Sequence, residues 1–256
     1  MILSIEPKPF RELRYLNASR RGRAETARLP FFRGRAELPP AWDALVVASD
    51  LQGIATPAWG EPAALLGVSV AREIDAMDLG RVVVVLAGDL YSVPEANKRG
   101  GFGDVSSVWE AFAQIGEVVG VAGNHDDVSR VTHGTLLDGD VVDMDGVRIG
   151  GVGLVAGNDE KPGRRSEDAQ LEKLYDAMLC DVLVLHEGAH VDDDHEGSVA
   201  VRDALEASPP ESEKTASVKL VISGHRPWVE PLARIGRATQ LLNVHERVVV
   251  LSRGPE

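Results

Sequence analysis

The chain has 256 residues, 44% hydrophobic and 26% charged, an ordinary makeup for a globular protein long enough to bury a full core. Its formal net charge of −13 is unevenly spread: residues 1–40 carry nine Lys/Arg against four Asp/Glu, about +5, which leaves about −18 elsewhere. So acidic a body is a poor general binder of duplex phosphates without help from metals or the basic N-terminal segment, and the single cysteine, Cys180, excludes an internal disulfide framework.

No apolar run approaches a membrane span; the longest strong one covers residues 82–87. Residues 1–6 lack the basic segment and apolar core of a secretory signal, so a reducing, cytoplasmic setting without membrane is expected.

Residues 1–40 read as a basic N-terminal extension packed on the core, an edge strand or hairpin ending at Pro39-Pro40. They contain Arg20-Arg21-Gly22-Arg23 and Phe31-Phe32-Arg33-Gly34-Arg35. Arginines near aromatics can grip phosphates and stack on bases, so nucleic acid is one partner this segment allows. A solvated basic edge is the plainer reading, and the net charge favours it. Residues 41–256 read as the main domain.

Ala44 to Ser49 is a buried strand ending in Asp50-Leu51-Gln52, and the spacing of two points Asp50 and Gln52 to one side. Residues 62–77 have helical apolar spacing, with Pro62 at a suitable first position. The next strand, residues 82–87, is apolar throughout, which implies burial on both faces, and it closes on Gly88-Asp89. A polar loop over 91–103 leads to a helix over 105–114.

Residues 115–119 then form a strand that runs into Gly120-Val121-Ala122-Gly123-Asn124-His125-Asp126-Asp127. The glycines let the backbone turn sharply and present Asn124, His125 and Asp126 together. Asn offers a neutral oxygen ligand, His an acid or a ligand, and Asp a group that can orient an imidazole.

Asp145-Gly146 between apolar alternations predicts a hairpin. Gly151 to Ala156 literally fits a dinucleotide fingerprint, but the following Gly157-Asn158-Asp159-Glu160-Lys161-Pro162 cannot open the required helix. Ser166 caps a helix over 166–178, residues 181–185 form a strand ending in His186, and residues 197–207 form a short helix. A surface connection follows over 208–213, then a strand over 218–223 ending in Gly224-His225. Residues 241–251 read as a last strand pair.

His186-Glu187-Gly188-Ala189-His190 spells H-E-x-x-H, yet that zinc-protease signature needs a helix, and here it follows a strand and contains Gly188. The aspartates 192–194 read as a solvated loop. The stronger pattern is that five apolar strands each stop at a potential ligand: Asp50, Asp89, Asn124, His186 and His225. Open α/β sheets gather their sites at the carboxyl ends of strands.

On these residues the chain resembles the calcineurin-like metallophosphoesterases over about residues 44–251. That family's ordered blocks are D-x-H, G-D, G-N-H-[DE], a lone H after a strand and G-H-x-H. Here they stand as Asp50-Leu51-Gln52, Gly88-Asp89, Gly123-Asn124-His125-Asp126, His186, and Gly224-His225-Arg226-Pro227. The resemblance implies an α/β fold of two mixed sheets flanked by helices, with metals at the strand ends. It implies that Asp89, Asn124, His186 and His225 hold one divalent ion, and that Asp50, Gln52 and Asp89 contribute to a second.

Two of the family's histidines are replaced, by Gln52 and Pro227, so one ion is expected to be firm and the other weak or absent. Mn²⁺ is the expected ion, with Zn²⁺, Fe²⁺ and Mg²⁺ as alternatives. His190, His195 and His245 are candidates to fill the gap, and each otherwise reads as a surface residue. His125 is expected to protonate the leaving oxygen with Asp126 orienting it, and Arg226 to meet substrate phosphate. Arg130, Arg164 and Arg165 are further phosphate candidates.

The implied activity is hydrolysis of a phosphomonoester or phosphodiester, in a phosphorylated small molecule or nucleotide, by metal-activated water. The alternatives are a degenerate family member that binds metal or nucleotide with little turnover, and a nuclease.

Overall fold

A computed structural model describes residues 1–19, 21–55, 63–98, 100–207, 218–236 and 239–254. The surface connection expected over 208–213 and the first residue of the helix expected over 62–77 lie outside them.

The chain opens with strands β1 (Ile2–Ile5), β2 (Arg11–Ala18) and β3 (Ala24–Ala36). Then come β4 (Ala44–Ser49), β5 (Ile54–Ala55), helix α1 (Leu66–Asp75), β6 (Val82–Leu86) and β7 (Gly103–Asp104). Helix α2 (Ser106–Ala113), β8 (Gly116–Gly120), β9 (Asp126–Asp127) and β10 (Thr135–Leu136) complete the first half. The second half runs β11 (Asp140–Met144), β12 (Val147–Val152), β13 (Val155–Ala156), β14 (Arg164–Arg165), helix α3 (Glu167–Ala177) and β15 (Val182–Glu187). It closes with helix α4 (Val199–Glu206), β16 (Leu220–Gly224), β17 (Leu232–Ile235), β18 (Thr239–Asn243) and β19 (Arg247–Arg253).

Two mixed sheets result, in the orders β10-β8-β6-β4-β19-β3-β2-β5, with β1 also on β3, and β11-β12-β15-β16-β18-β17. Strand alternation sorts the core into layers. Val46, Val84 and Leu86 of the first sheet face α1 and α2, where Val70, Ile74, Trp109 and Phe112 are buried. Val47, Val83 and Val85 point the other way and meet Ile149, Val184 and Ile222 of the second sheet. That sheet's outer face, with Leu183, Leu185 and Val221, is covered by Leu174 and Ala177 of α3 and Val201 and Ala204 of α4. The fold is a helix–sheet–sheet–helix sandwich. Each large side chain so buried contributes about 1.5–3 kcal/mol over its exposed state.

Local signals explain the boundaries. Asp145 and Gly146, at φ 53° and 84°, make the tight turn between β11 and β12, as both central residues of such a hairpin require. The Ser166 Oγ accepts the Ala169 N–H at the start of α3, and the Ser198 Oγ accepts that of Val201 at the start of α4.

The last strands differ from expectation. β18 pairs with β16 and β17, whereas β19 pairs with β3 and β4, so residues 241–251 cross from one sheet to the other. Leu241 and Leu242 of β18 and residues 248–251 of β19 are buried apolar side chains, and burial on both faces suits a central strand of either sheet. His186 and Glu187 lie in β15, so no helix carries the H-E-x-x-H motif.

Candidate metal centre

Parallel pairing of β4, β6 and β8 in one sheet, and of β15 and β16 in the other, brings their carboxyl ends to one edge of the sandwich. At three of these ends a side-chain-bearing residue takes a left-handed backbone: Asp50 at φ 54°, Asp89 at 56° and His225 at 63°. Such conformations are sparse outside glycine and persist where the surroundings fix them. Gly123 lies against Asp89 so tightly that a Cβ would sit 2.1 Å from the Asp89 N and Oδ1. That contact carries Asn124 and His125 to the same point.

Donor atoms of Asp89, His186 and His225 all lie within 4.8 Å of one another. The His186 Nδ1 is 2.8 Å from the Ala87 carbonyl, which can only accept, so Nδ1 carries the proton. The Nε2 lone pair therefore faces the Asn124 Oδ1 at 3.1 Å and the Asp89 Oδ1 at 3.4 Å. Three acceptors converging in a buried place call for a positive charge. Without an ion, burial opposes an imidazolium at His186, yet the Asp89 carboxylate outweighs it and pushes the group up to about 10. His225 is lowered to about 4 by burial and then by His186, so its ring is neutral and free to ligate. One carboxylate, one amide oxygen and two imidazoles fit a divalent transition ion.

Asp50 and Gln52 are held differently. The Asp50 Oδ2 accepts the Ser49 hydroxyl at 2.7 Å and the His225 N–H at 2.9 Å. Its Oδ1 lies 2.9 Å from the His245 Nδ1, an ion-pair contact off the axis of a hydrogen bond. Burial would raise the Asp50 carboxyl, but His245 holds it down at about 2. Gln52 meets Asp89 as a donor, Nε2 to Oδ2 at 3.1 Å, rather than offering an oxygen to an ion. Asp50 and Gln52 thus stand beside the cluster of Asp89, Asn124, His186 and His225, each tied to a neighbouring side chain.

His125 donates its backbone N–H to the Asp89 Oδ1 at 3.0 Å, and its Nε2 lies 3.9 Å from the Asp89 Oδ2. The orienting group for its ring is the Gly101 carbonyl, 2.6 Å from Nδ1, and not Asp126 as expected. Asp126 is buried with both oxygens facing backbone: Oδ1 accepts the N–H groups of Leu90 and Tyr91, and Oδ2 that of Gly123. It ties the loop after β6 to the loop after β8. Burial and the Asp89 charge raise it to about 6.

Arg226 is exposed, and its proximity helps to depress the neighbouring His225. Arg130 pairs with Asp104 at 3.5 Å, and the Arg165 Nη2 donates to both carboxylate oxygens of Asp138, at 2.7 and 2.9 Å. Two histidines expected at the surface are half-buried: His245 against Asp50, and His195 edge-on to Trp228 with centroids 4.8 Å apart and paired with Asp192. The pointer to His245 was present in the sequence, since β18 also ends on polar side chains, Asn243 and His245. No signal could have shown the Gly101 carbonyl, a backbone group.

No family model matches this chain, and no curated protein matches it. Among solved structures it is similar to the sulfate thiohydrolase SoxB of Thermus thermophilus in complex with glycerol, at 16% identity and a TM-score of 0.45, over 82% of this chain and 53% of that one. It is also similar to a 5'-nucleotidase precursor from Thermus thermophilus, at 11% identity and a TM-score of 0.40, over 79% of this chain and 48% of the other. The chain thus spans about half the length of each, and likeness at this level leaves function to be argued from the site.

Proposed function

We propose that the chain is a metal-dependent phosphoric ester hydrolase of the calcineurin-like metallophosphoesterase kind, acting on a phosphorylated small molecule or nucleotide. The observation that carries this reading is the convergence of Asp89, Asn124, His186 and His225, with the His186 tautomer fixed so that its free nitrogen faces the other donors. These four residues would hold one firm ion, Mn²⁺ by preference, with Zn²⁺, Fe²⁺ or Mg²⁺ as alternatives. When bound, the ion polarises the phosphoryl oxygen and lowers the pKa of a water that attacks phosphorus.

The chain's own residues do the rest. The Gly101 carbonyl fixes the His125 Nδ1 proton and leaves Nε2 on the side of Asp89. In its imidazolium form His125 gives the Nε2 proton to the ester oxygen as the P–O bond breaks. Arg226, exposed beside His225, is placed to hold a phosphate oxygen. Commitment of Asp50 to His245 and of Gln52 to Asp89 supports a second ion that is weak or absent. The same observation favours a second reading, a binder of metal or nucleotide with little turnover.

Hydrolysis of an aryl phosphomonoester and an aryl phosphodiester with Mn²⁺ separates the two. Turnover that drops roughly 10²–10⁴-fold in His125→Ala, with metal still bound, is expected. Equal rates in both proteins, or none in either, would remove the hydrolase reading.

A further inference from the structure

The β2–β3 arm reaches the site at two places. Tyr15 and Leu16 pair with Ala55 and Ile54, and the Tyr15 ring lies where a Cβ on Gly53 would sit, 2.2 Å away, so the arm is seated on the loop after Asp50. At its tip, Gly22 takes a φ of 69° and lies against Asn97, whose carbonyl would be 3.1 Å from a Cβ there. Further along the chain Gly100 packs on the His125 ring, and the Gly101 carbonyl holds it. Four residues from Asn97 to Gly101 span at most about 14 Å.

Among the arm's described arginines, Arg14 is exposed on β2 and makes no ion pair among the described residues, and the others fall into two sets. Arg11 pairs with Glu73, Arg28 with Glu12, Arg33 lies over the Phe10 ring and Arg35 donates to the Arg253 carbonyl. Arg21 and Arg23, flanking Gly22, are exposed and make no ion pair among the described residues, and neither does Lys98 beside Asn97. Glu25 and Glu95 are the nearest acids in sequence on the two segments. Phe102, one residue beyond Gly101, is 45% exposed and offers a free aromatic face beside that carbonyl.

We propose that Arg21 and Arg23 at the arm tip, with Lys98 and Phe102, form a track for single-stranded nucleic acid leading to the metal centre. Arg21, Arg23 and Lys98 take successive phosphates, and Phe102 stacks on a base. The acidic remainder of the chain, about −18, repels the dense charge of a duplex and leaves the rim as the landing place. This rests on the phosphoesterase reading only for what happens at the track's end.

The test is therefore a binding experiment in EDTA, where no hydrolysis occurs. A labelled oligothymidylate of about twelve nucleotides is titrated by fluorescence anisotropy across a salt series. The intact chain is expected to bind with a salt-dependent affinity. Arg21→Ser with Arg23→Ser lowers the slope of log K against log salt by about 1.4, two contacts at about 0.7 each. Phe102→Ala weakens binding about tenfold and leaves the slope unchanged. An unchanged slope in the double variant, equal affinity for a duplex of the same length, or no binding at low salt would overturn the proposal. Each can happen while aryl ester hydrolysis stands, and hydrolysis can fail while the track binds.

Discussion

Asp50 and His245 form a buried ion pair at a place where the resemblance implies an ion, and the pair makes a claim about pH. The folded Asp50 carboxyl, at about 2, lies below its ordinary 3.8, so its contribution is present above pH 3.8 and is lost as pH falls toward 2. His245 is raised above its ordinary 6.5: burial opposes the imidazolium, and Asp50 outweighs it. Its contribution is therefore full below pH 6.5 and is lost as pH rises through the folded value. Wild-type chain should lose about 2 kcal/mol of unfolding free energy between pH 5 and pH 2 that Asp50→Asn does not lose. His245→Gln should remove the decline above pH 6.5. Denaturant midpoints across that range decide it, and parallel curves for all three proteins would mean the pair is not formed.

At the scale of the element, strand ends made the site legible. β4, β6, β15 and β16 carry buried apolar runs, and a candidate ligand stands at or just past the end of each run: Asp50, Asp89, His186 and His225. Parallel pairing then does the gathering, because parallel strands end on the same side. What followed from the backbone path between strands was not legible. Asp126 was expected to face His125, but its side chain turns to Leu90, Tyr91 and Gly123, whose N–H groups have no ladder partner to satisfy them. His245 sits after a strand of the second sheet that hands over to the first, a crossing that apolar periodicity cannot reveal. The turn after β6 depends on a glycine. Gly88 has a φ of 86°, and a Cβ there would meet the Gly123 N at 2.5 Å and the His186 Nδ1 at 2.7 Å. Gly88→Ala must displace the imidazole from the Ala87 carbonyl that fixes its tautomer. Loss of such an orienting bond typically costs about 10–100-fold in metal affinity. Titration with Mn²⁺ followed by electron paramagnetic resonance should show that loss, and wild-type affinity in the variant would mean the bond does not position His186.

For the whole molecule, the candidate metal centre draws its residues from both halves of the sandwich. Asp89 and Asn124 follow strands of the first sheet, and His186 and His225 belong to the second. An ion shared by them would tie the sheets at one edge, where among the described residues the His186–Asp89 and His245–Asp50 contacts also join opposite charges across the gap. Binding to the folded state alone adds RT ln(1 + [L]/Kd), about 2.7 kcal/mol at an ion concentration of 100 Kd. For a chain of this size each kcal/mol moves the melting temperature by roughly 2–4 °C, so Mn²⁺ should raise it by roughly 5–10 °C over the EDTA-treated protein. The dependence on Mn²⁺ should follow a single site, because Asp50 and Gln52 are already engaged with His245 and Asp89. His186→Ala should abolish the shift, since it removes the ligand that the second sheet sets against Asp89. A melting temperature indifferent to Mn²⁺ in the wild-type chain would mean that the four donors do not share an ion. A clear second step in the dependence would mean that His245 yields Asp50 to a second one.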